Sequence, residues 1–278
     1  MTDHPAIERG RTAVVTGAAS GIGLAAAQAF AARGLRVVLA DLPGESLESA
    51  RTTVAATGAS VRAVPTDVGD PAAMEALCEA AFGDGPPAIV MLNAGIEAGG
   101  RLFSDGGTWR RILDTNLWGV VDGIRTFVPG MIGAGGPGAV IVTGSKQGIT
   151  TPPGNAPYNV SKAGVKAVTE ALAHELRGHA PAITAHLLIP GFVYTGLARA
   201  RGVADKPDGA WTPEETVAFL LAGMARGDFY ILCPDNETTA EQDRRRIAWA
   251  AGDVIENRPA LSRWHPDFSE AFARHMTG

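Results

Sequence analysis

Short runs of apolar, mostly β-branched residues alternate along this chain with longer alanine-rich stretches. The runs cover residues 12–16, 36–40, 60–64, 88–92, 139–143, 183–189 and 229–233. Several are apolar throughout, as strands covered on both faces are. The stretches between them predict helices over 21–33, 46–57, 71–82, 108–131, 155–178 and 213–226. Such alternation implies βαβ units, and so an α/β fold with a doubly wound parallel sheet of about seven strands. After Cys233 the pattern changes: 236–257 predicts one more helix, and a tail follows with Trp264, Phe268 and Phe272. Aromatic area favours burial, so the tail is expected to pack on its own flank, to cap a site, or to reach a neighbouring subunit.

With 278 residues, 46% of them hydrophobic and 19% charged, the chain has the composition of an ordinary soluble globular protein. Its net charge of -5 argues against a nucleic-acid or anionic-membrane surface, which would need a basic excess. Arg244-Arg245-Arg246 follows Glu241 and Asp243 and reads as a solvated helix face. Cys78 and Cys233 share no metal-ligand spacing; they read as reduced, buried thiols, and no metal is expected. Residues 1–11 contain no apolar signal core, and the alanine-rich stretch at 21–32 is too short for a membrane span. A cytoplasmic protein is expected.

The turn after the first run carries the first chemistry. Thr16-Gly17-Ala18-Ala19-Ser20-Gly21-Ile22-Gly23 leaves a strand and opens a helix. Glycines there permit a tight turn and close approach of backbone to a pyrophosphate, which the helix N-terminus favours electrostatically. Gly17, Ser20, Gly21, Ile22 and Gly23 are therefore candidate nucleotide contacts. The second strand ends at Asp41, 24 positions after Gly17, near the spacing of an acid that binds an adenosine ribose. A carboxylate there accepts both ribose hydroxyls and repels a 2′-phosphate. Leu42, Pro43 and Gly44 follow it, none of them basic, so NAD is favoured over NADP. The plainer reading makes Asp41 a strand-end cap. Residues 1–235 are expected to form the dinucleotide-binding and catalytic part, and 236–278 a C-terminal helix and tail of the same domain.

Tyr158 and Lys162 stand one helical turn apart within Tyr158-Asn159-Val160-Ser161-Lys162, on a shared helix face. A nearby ammonium favours the phenolate and can make tyrosine a usable acid or base. Asn155 and Pro157 fit a helix start just before them.

With the glycine turn, these residues resemble the short-chain dehydrogenase/reductase family, whose fold is of the Rossmann type. Further pieces match in order up to Pro190-Gly191. Asp67-Val68 resembles the pair flanking the adenine. Asn93-Ala94-Gly95 resembles the motif ending the fourth strand, though Leu92 stands where a second Asn is frequent. Asn116 resembles the family's helix asparagine, and Ser145 precedes Tyr158 by the usual thirteen positions. The segment from Pro190 to Thr195 resembles the one closing over the nicotinamide, with Pro190, Gly191, Val193 and Thr195 as contacts.

The resemblance implies a catalytic set of Asn116, Ser145, Tyr158 and Lys162. Hydride transfer to a ketone develops negative charge on oxygen, which needs a proton donor and a polar neighbour. Tyr158 would donate or remove the proton, and Ser145 would orient the substrate oxygen. Lys162 would lower the Tyr158 pKa and hold the nicotinamide ribose, and Asn116 would anchor a water leading to solvent. The expected activity is NAD(H)-dependent interconversion of a secondary alcohol and a ketone. A 3-oxoacyl carrier-protein reductase and a non-catalytic NAD-binding scaffold are the alternatives. Ile96, Lys146, Gln147, Phe192, Tyr194, Leu197 and Trp211, with Trp264 and Phe268 of the tail, suggest a largely apolar, aromatic pocket and a hydrophobic substrate. His186 reads as structural. A homodimer or homotetramer through the helices at 108–131 and 155–178 is implied by the family.

Overall fold

The computed structural model describes residues 2–97, 99–196, 202 and 205–277; Leu197 of the expected pocket lies outside them. The strands are β1 (Thr12–Thr16), β2 (Arg36–Asp41), β3 (Val61–Pro65), β4 (Pro87–Leu92), β5 (Gly138–Thr143), β6 (Ile183–Ile189) and β7 (Tyr230–Leu232). They form one parallel sheet in the order β3-β2-β1-β4-β5-β6-β7. The chain runs outward from β1 to β3, then crosses back to lay β4 beside β1. That reversal opens a crevice at the carboxyl ends of β1 and β4.

The helices are α1 (Gly21–Ala32), α2 (Glu45–Ala55), α3 (Pro71–Phe82), α4 (Gly106–Leu113) and α5 (Gly119–Ala134). They continue with α6 (Gln147–Thr150), α7 (Ala156–His179), α8 (Pro213–Arg226), α9 (Ala240–Ile255) and α10 (Ser269–Thr277). Alternate strand residues feed two cores. Ala13, Val15, Ile89, Met91 and Ile141 face α1, α2 and α8. Val14, Val90, Leu92, Val140 and Val142 face α3, α5 and α7. Continuous apolar runs are the signature of strands covered on both sides. Several helix starts are set by side-chain caps. Asp70 accepts from the Ala72 N–H ahead of α3, and Thr212/Glu215 and Thr239/Gln242 form reciprocal capping boxes for α8 and α9. Each such cap stabilises by about 1 kcal/mol.

Two expectations change. The helix predicted over 108–131 is split by a π-helical turn, Asp114–Trp118, between α4 and α5. The cause is Asn116: its side chain is fully buried, and the widened turn carries it inward to Ile96 and Ser161. Asn155 stands at the start of α7 but makes no side-chain cap; its amide donates instead to the Glu97 carboxylate.

The tail folds back on α9. Trp249 lies against Phe272 and His275 at ring distances of 5.4 and 5.2 Å, and the Arg258 guanidinium lies over its ring, 4.0 Å from the centroid. Arg245 Nη1 donates to the Met276 carbonyl at 2.8 Å. Among the described residues no helix is long and apolar enough to cross a membrane.

A buried chain of neutral imidazoles ties the N-terminal segment to β6. His4 Nδ1 accepts from the Ala6 N–H at 3.1 Å, which leaves Nε2–H to donate to Thr184 Oγ1 at 3.2 Å. His186 Nδ1–H donates to the Asp228 carbonyl at 2.7 Å, so its Nε2 accepts from the Thr184 hydroxyl at 2.8 Å. His186 is thus structural, as expected. Burial lowers both pKa values, that of His4 from 6.5 to about 4 with repulsion from His186 adding to it. Below pH 6.5 the unfolded chain then binds more protons than the folded one, so stability is lost as pH falls from 6.5 towards 4. In urea unfolding, the midpoint of the wild type should drop more steeply between pH 7 and 5 than that of His4→Gln. Equal slopes would refute the assignment.

Candidate active site

The backbone at the crevice is shaped by glycine. Gly17 and Gly21 take left-handed φ values of 65° and 54° between β1 and α1. A Cβ on Gly17 would stand 2.8 Å from Ala94 Cα, and one on Gly23 only 2.1 Å from the Gly17 carbonyl oxygen. Ser20 occupies the N-cap position of α1 without a side-chain bond, so the helix start lacks that cap. Asp41 braces the turn: Oδ2 accepts from the Ala19 N–H and Oδ1 from the Leu42 N–H, each at 2.8 Å. Asp41 is therefore a strand-end cap in which each oxygen keeps a second lone pair.

Three strand ends are stapled together behind this turn. Asn93 Nδ2 donates to the carbonyls of Thr16 at 3.2 Å and Gly17 at 3.4 Å, and its Oδ1 accepts from the Thr143 hydroxyl at 3.0 Å. Thr16 Oγ1 receives the N–H groups of Asn93 and Ala94 at 2.9 and 3.1 Å. Thr16 and Thr143 escaped the sequence reading. The available signal was a threonine closing an apolar run directly before a glycine.

β5 and α7 bring Ser145, Tyr158 and Lys162 to the same cavity. Ser145 follows β5 and its Oγ accepts from the Gln147 N–H at 3.1 Å. Tyr158, on the first turn of α7, stands near the Ser145 hydroxyl on the same cavity wall. Burial raises its pKa above 10, and the Ser145 hydroxyl only partly opposes this. That direction is the reverse of the lowering expected from Lys162, whose Nζ lies 5.8 Å from the phenol ring centroid. Lys162 is itself buried, donates to the Thr143 carbonyl at 2.8 Å, and is lowered by desolvation to about 8. Asn116 stands behind it. Its Oδ1 accepts from the Ile96 N–H at 2.7 Å, and its Nδ2 donates to the Ile96 carbonyl at 2.9 Å and Ser161 Oγ at 3.1 Å. Its first job is to hold the segment after Gly95.

A cavity of about 680 Å³ joins these parts. Its walls include Gly17, Ser20, Gly21, Ile22, Asp41, Asp67, Val68, Asn93, Ala94 and Gly95 on one side. Ser145, Tyr158, Lys162, Pro190, Gly191, Val193 and Thr195 line it as well. Gly23 and Asn116 support the walls from behind and do not line them.

A short chain dehydrogenase family model matches residues 11–205. The chain belongs to the short-chain dehydrogenase/reductase family. A 1-deoxy-11-beta-hydroxypentalenate dehydrogenase from Streptomyces exfoliatus is 33% identical over 262 residues, 91% of this chain and 94% of that one. A galactitol 2-dehydrogenase (L-tagatose-forming) from Cereibacter sphaeroides is 37% identical over 192 residues, 68% and 73% of the two chains. A short-chain dehydrogenase/reductase from Burkholderia phymatum, solved in complex with NAD, superposes with a TM-score of 0.83 at 31% identity and covers 93% of this chain and 97% of its own. The protein is thus an oxidoreductase acting on CH–OH groups.

The far end of this dehydrogenase's cavity departs from the expected apolar pocket. Ile96, Lys146, Gln147 and Phe192 line it, but so do Glu97, Asp235, Thr238 and Arg246. Tyr194, Trp211, Trp264 and Phe268 are absent from its described walls. Trp211 stacks on Phe219 at 5.7 Å, and its indole N–H donates to Asn236. The arginine triplet also departs from a plain solvated face. Arg244 and Arg245 pair with Glu241, whereas Arg246 reaches the cavity.

The turn gives a direct test. Gly23→Ala places a methyl against the Gly17 carbonyl, an overpacking that costs about 1–3 kcal/mol or forces the turn open. Titration followed by nicotinamide fluorescence should show NADH affinity reduced at least about tenfold, which is a loss of 1.4 kcal/mol. Unchanged affinity would show that the turn does not hold the cofactor.

Proposed function

We propose that the protein is an NAD(H)-dependent oxidoreductase that interconverts a secondary alcohol and a ketone, with Tyr158 as general acid and base. The observation that carries this is the placement of Tyr158, Ser145 and Lys162 together on the wall of a cavity that the glycine turn also lines.

The cradle fits a dinucleotide. Gly17, Ser20, Gly21, Ile22 and Gly23 would hold the pyrophosphate, Asp41 the adenosine ribose, and Asp67 and Val68 the adenine. Asn93, Ala94, Gly95 and Lys162 would hold the nicotinamide riboside, closed over by Pro190, Gly191, Val193 and Thr195. When bound, NAD supplies the hydride donor or acceptor.

The chain's own residues handle the proton. A buried phenol above its ordinary pKa keeps its proton at neutral pH, ready for donation to a ketone oxygen. Ser145 offers a second hydrogen bond to that oxygen and sets its angle. In the alcohol-oxidising direction Tyr158 must take a proton, and the Lys162 ammonium stabilises the phenolate form through a low-dielectric interior. The exposed Trp118, Ile132 and Val160 support assembly as a homodimer or homotetramer through the α5 and α7 flank. A cytoplasmic location is part of this proposal.

Tyr158→Phe should lower turnover by about 10²–10⁴ while leaving NADH binding nearly unchanged. Near-wild-type turnover of any alcohol by that variant would sink the mechanism. The cofactor is tested separately. With Asp41 facing the ribose, kcat/KM should favour NADH over NADPH by about tenfold or more, and Asp41→Asn should narrow the gap. Equal use of both cofactors by the wild type would overturn the NAD assignment.

A further inference from the structure

Beyond Ser145, Lys146 and Arg246 meet Asp235 and Asp243, and Arg263 stands near Arg246. Lys146 is fully engaged. Its Nζ lies 2.6 Å from Asp243 Oδ2 and 3.2 Å from Asp235 Oδ2. Asp235 is held further by the N–H groups of Phe192, Glu237 and Thr238 at 3.3, 3.1 and 2.7 Å. Glu97, on the same cavity, receives the Asn155 amide.

Arg246 is placed differently. It follows Asp243 by three positions, so the two share a face of α9, and the Lys146–Asp243 ion pair fixes that face against the cavity. Arg246 lines the wall, yet among the described residues only Nη1 has a hydrogen-bond partner, Thr238 Oγ1 at 3.2 Å. Its Nε is buried without an acceptor, and no described carboxylate stands within 4.0 Å of its guanidinium. Arg263 stacks over Trp264 and Phe272 at 4.7 and 5.1 Å, close enough to Arg246 for the two charges to repel. A guanidinium has five N–H donors in a fork that matches a carboxylate, and buried donors without acceptors are costly.

We infer that Arg246 is a specificity residue that binds a carboxylate on the substrate, which makes the substrate a hydroxy or oxo acid whose acid group lies away from the reacting carbon. The reacting-carbon part of this statement rests on the dehydrogenase reading above; the carboxylate site does not. Ser145 and Tyr158 share one cavity with Arg246, so a single small molecule can touch both ends. Lys146 cannot serve in its place, because two aspartates already hold it.

The test uses matched neutral and anionic probes. Benzoate and cyclohexanecarboxylate are titrated into the enzyme–NADH complex beside benzamide and cyclohexanecarboxamide, with nicotinamide fluorescence and melting temperature as readouts. The acids should bind at least about tenfold more tightly than their amides, a ratio worth 1.4 kcal/mol. Arg246→Gln should abolish that preference, and Arg246→Lys should restore part of it. Equal or absent binding of acid and amide, or a preference that survives Arg246→Gln, overturns the assignment. Failure of the dehydrogenase reading would show separately, as no NADH formed from any alcohol, because these titrations need no turnover.

Discussion

Thr143 joins the two halves of the site. Its hydroxyl donates to Asn93, which clamps the carbonyls of Thr16 and Gly17, and its own carbonyl accepts from Lys162. One strand end therefore sets both the glycine turn and the position of the buried ammonium. The arrangement exists because parallel strands leave their carboxyl ends together at the point where strand order reverses. Polar groups buried there must find partners, and they find one another. A shift of β5 against β4 would disturb the cradle and the lysine at once.

Burial then decides the protonation states. Lys162 has lost its water and has one carbonyl in exchange, so its pKa falls to about 8, yet it remains mostly charged near neutrality. Tyr158 is pushed the other way, towards the protonated phenol. Two groups moved in opposite directions by the same dry surroundings form a proton donor beside a cation. The charge effect read from helical spacing is present in the geometry, but desolvation is the larger influence on the phenol.

Features whose cause is local or periodic were legible in the sequence. Strands buried on both faces read as apolar runs, and all seven lie within a residue or two of their predicted places. The glycine turn was legible because steric demands at Gly17 and Gly23 admit no other residue. What escaped depends on partners distant in the chain. Asn116 distorts its helix through contacts with Ile96 and Ser161, which no helical period encodes. Lys146 finds Asp235 and Asp243 only because β7 and α9 return to the end of β5. Asn155 turned from capping its helix to Glu97, a contact 58 positions away.

The arginine triplet shows how composition can mislead at close range. Three consecutive helical residues point about 100° apart, so a run of like charges need not form one surface. Arg244 and Arg245 lean on Glu241, with Arg245 also holding the folded-back tail. Arg246 falls on the face fixed by Asp243, and that face is turned to the cavity by Lys146. The residue after Ser145 thus determines where the C-terminal helix sits. Through that helix it determines which charge the far end of the cavity presents. The same ion pair that buries Lys146 removes it from competition for an anion and leaves Arg246, beside it on the wall, with donors to spare.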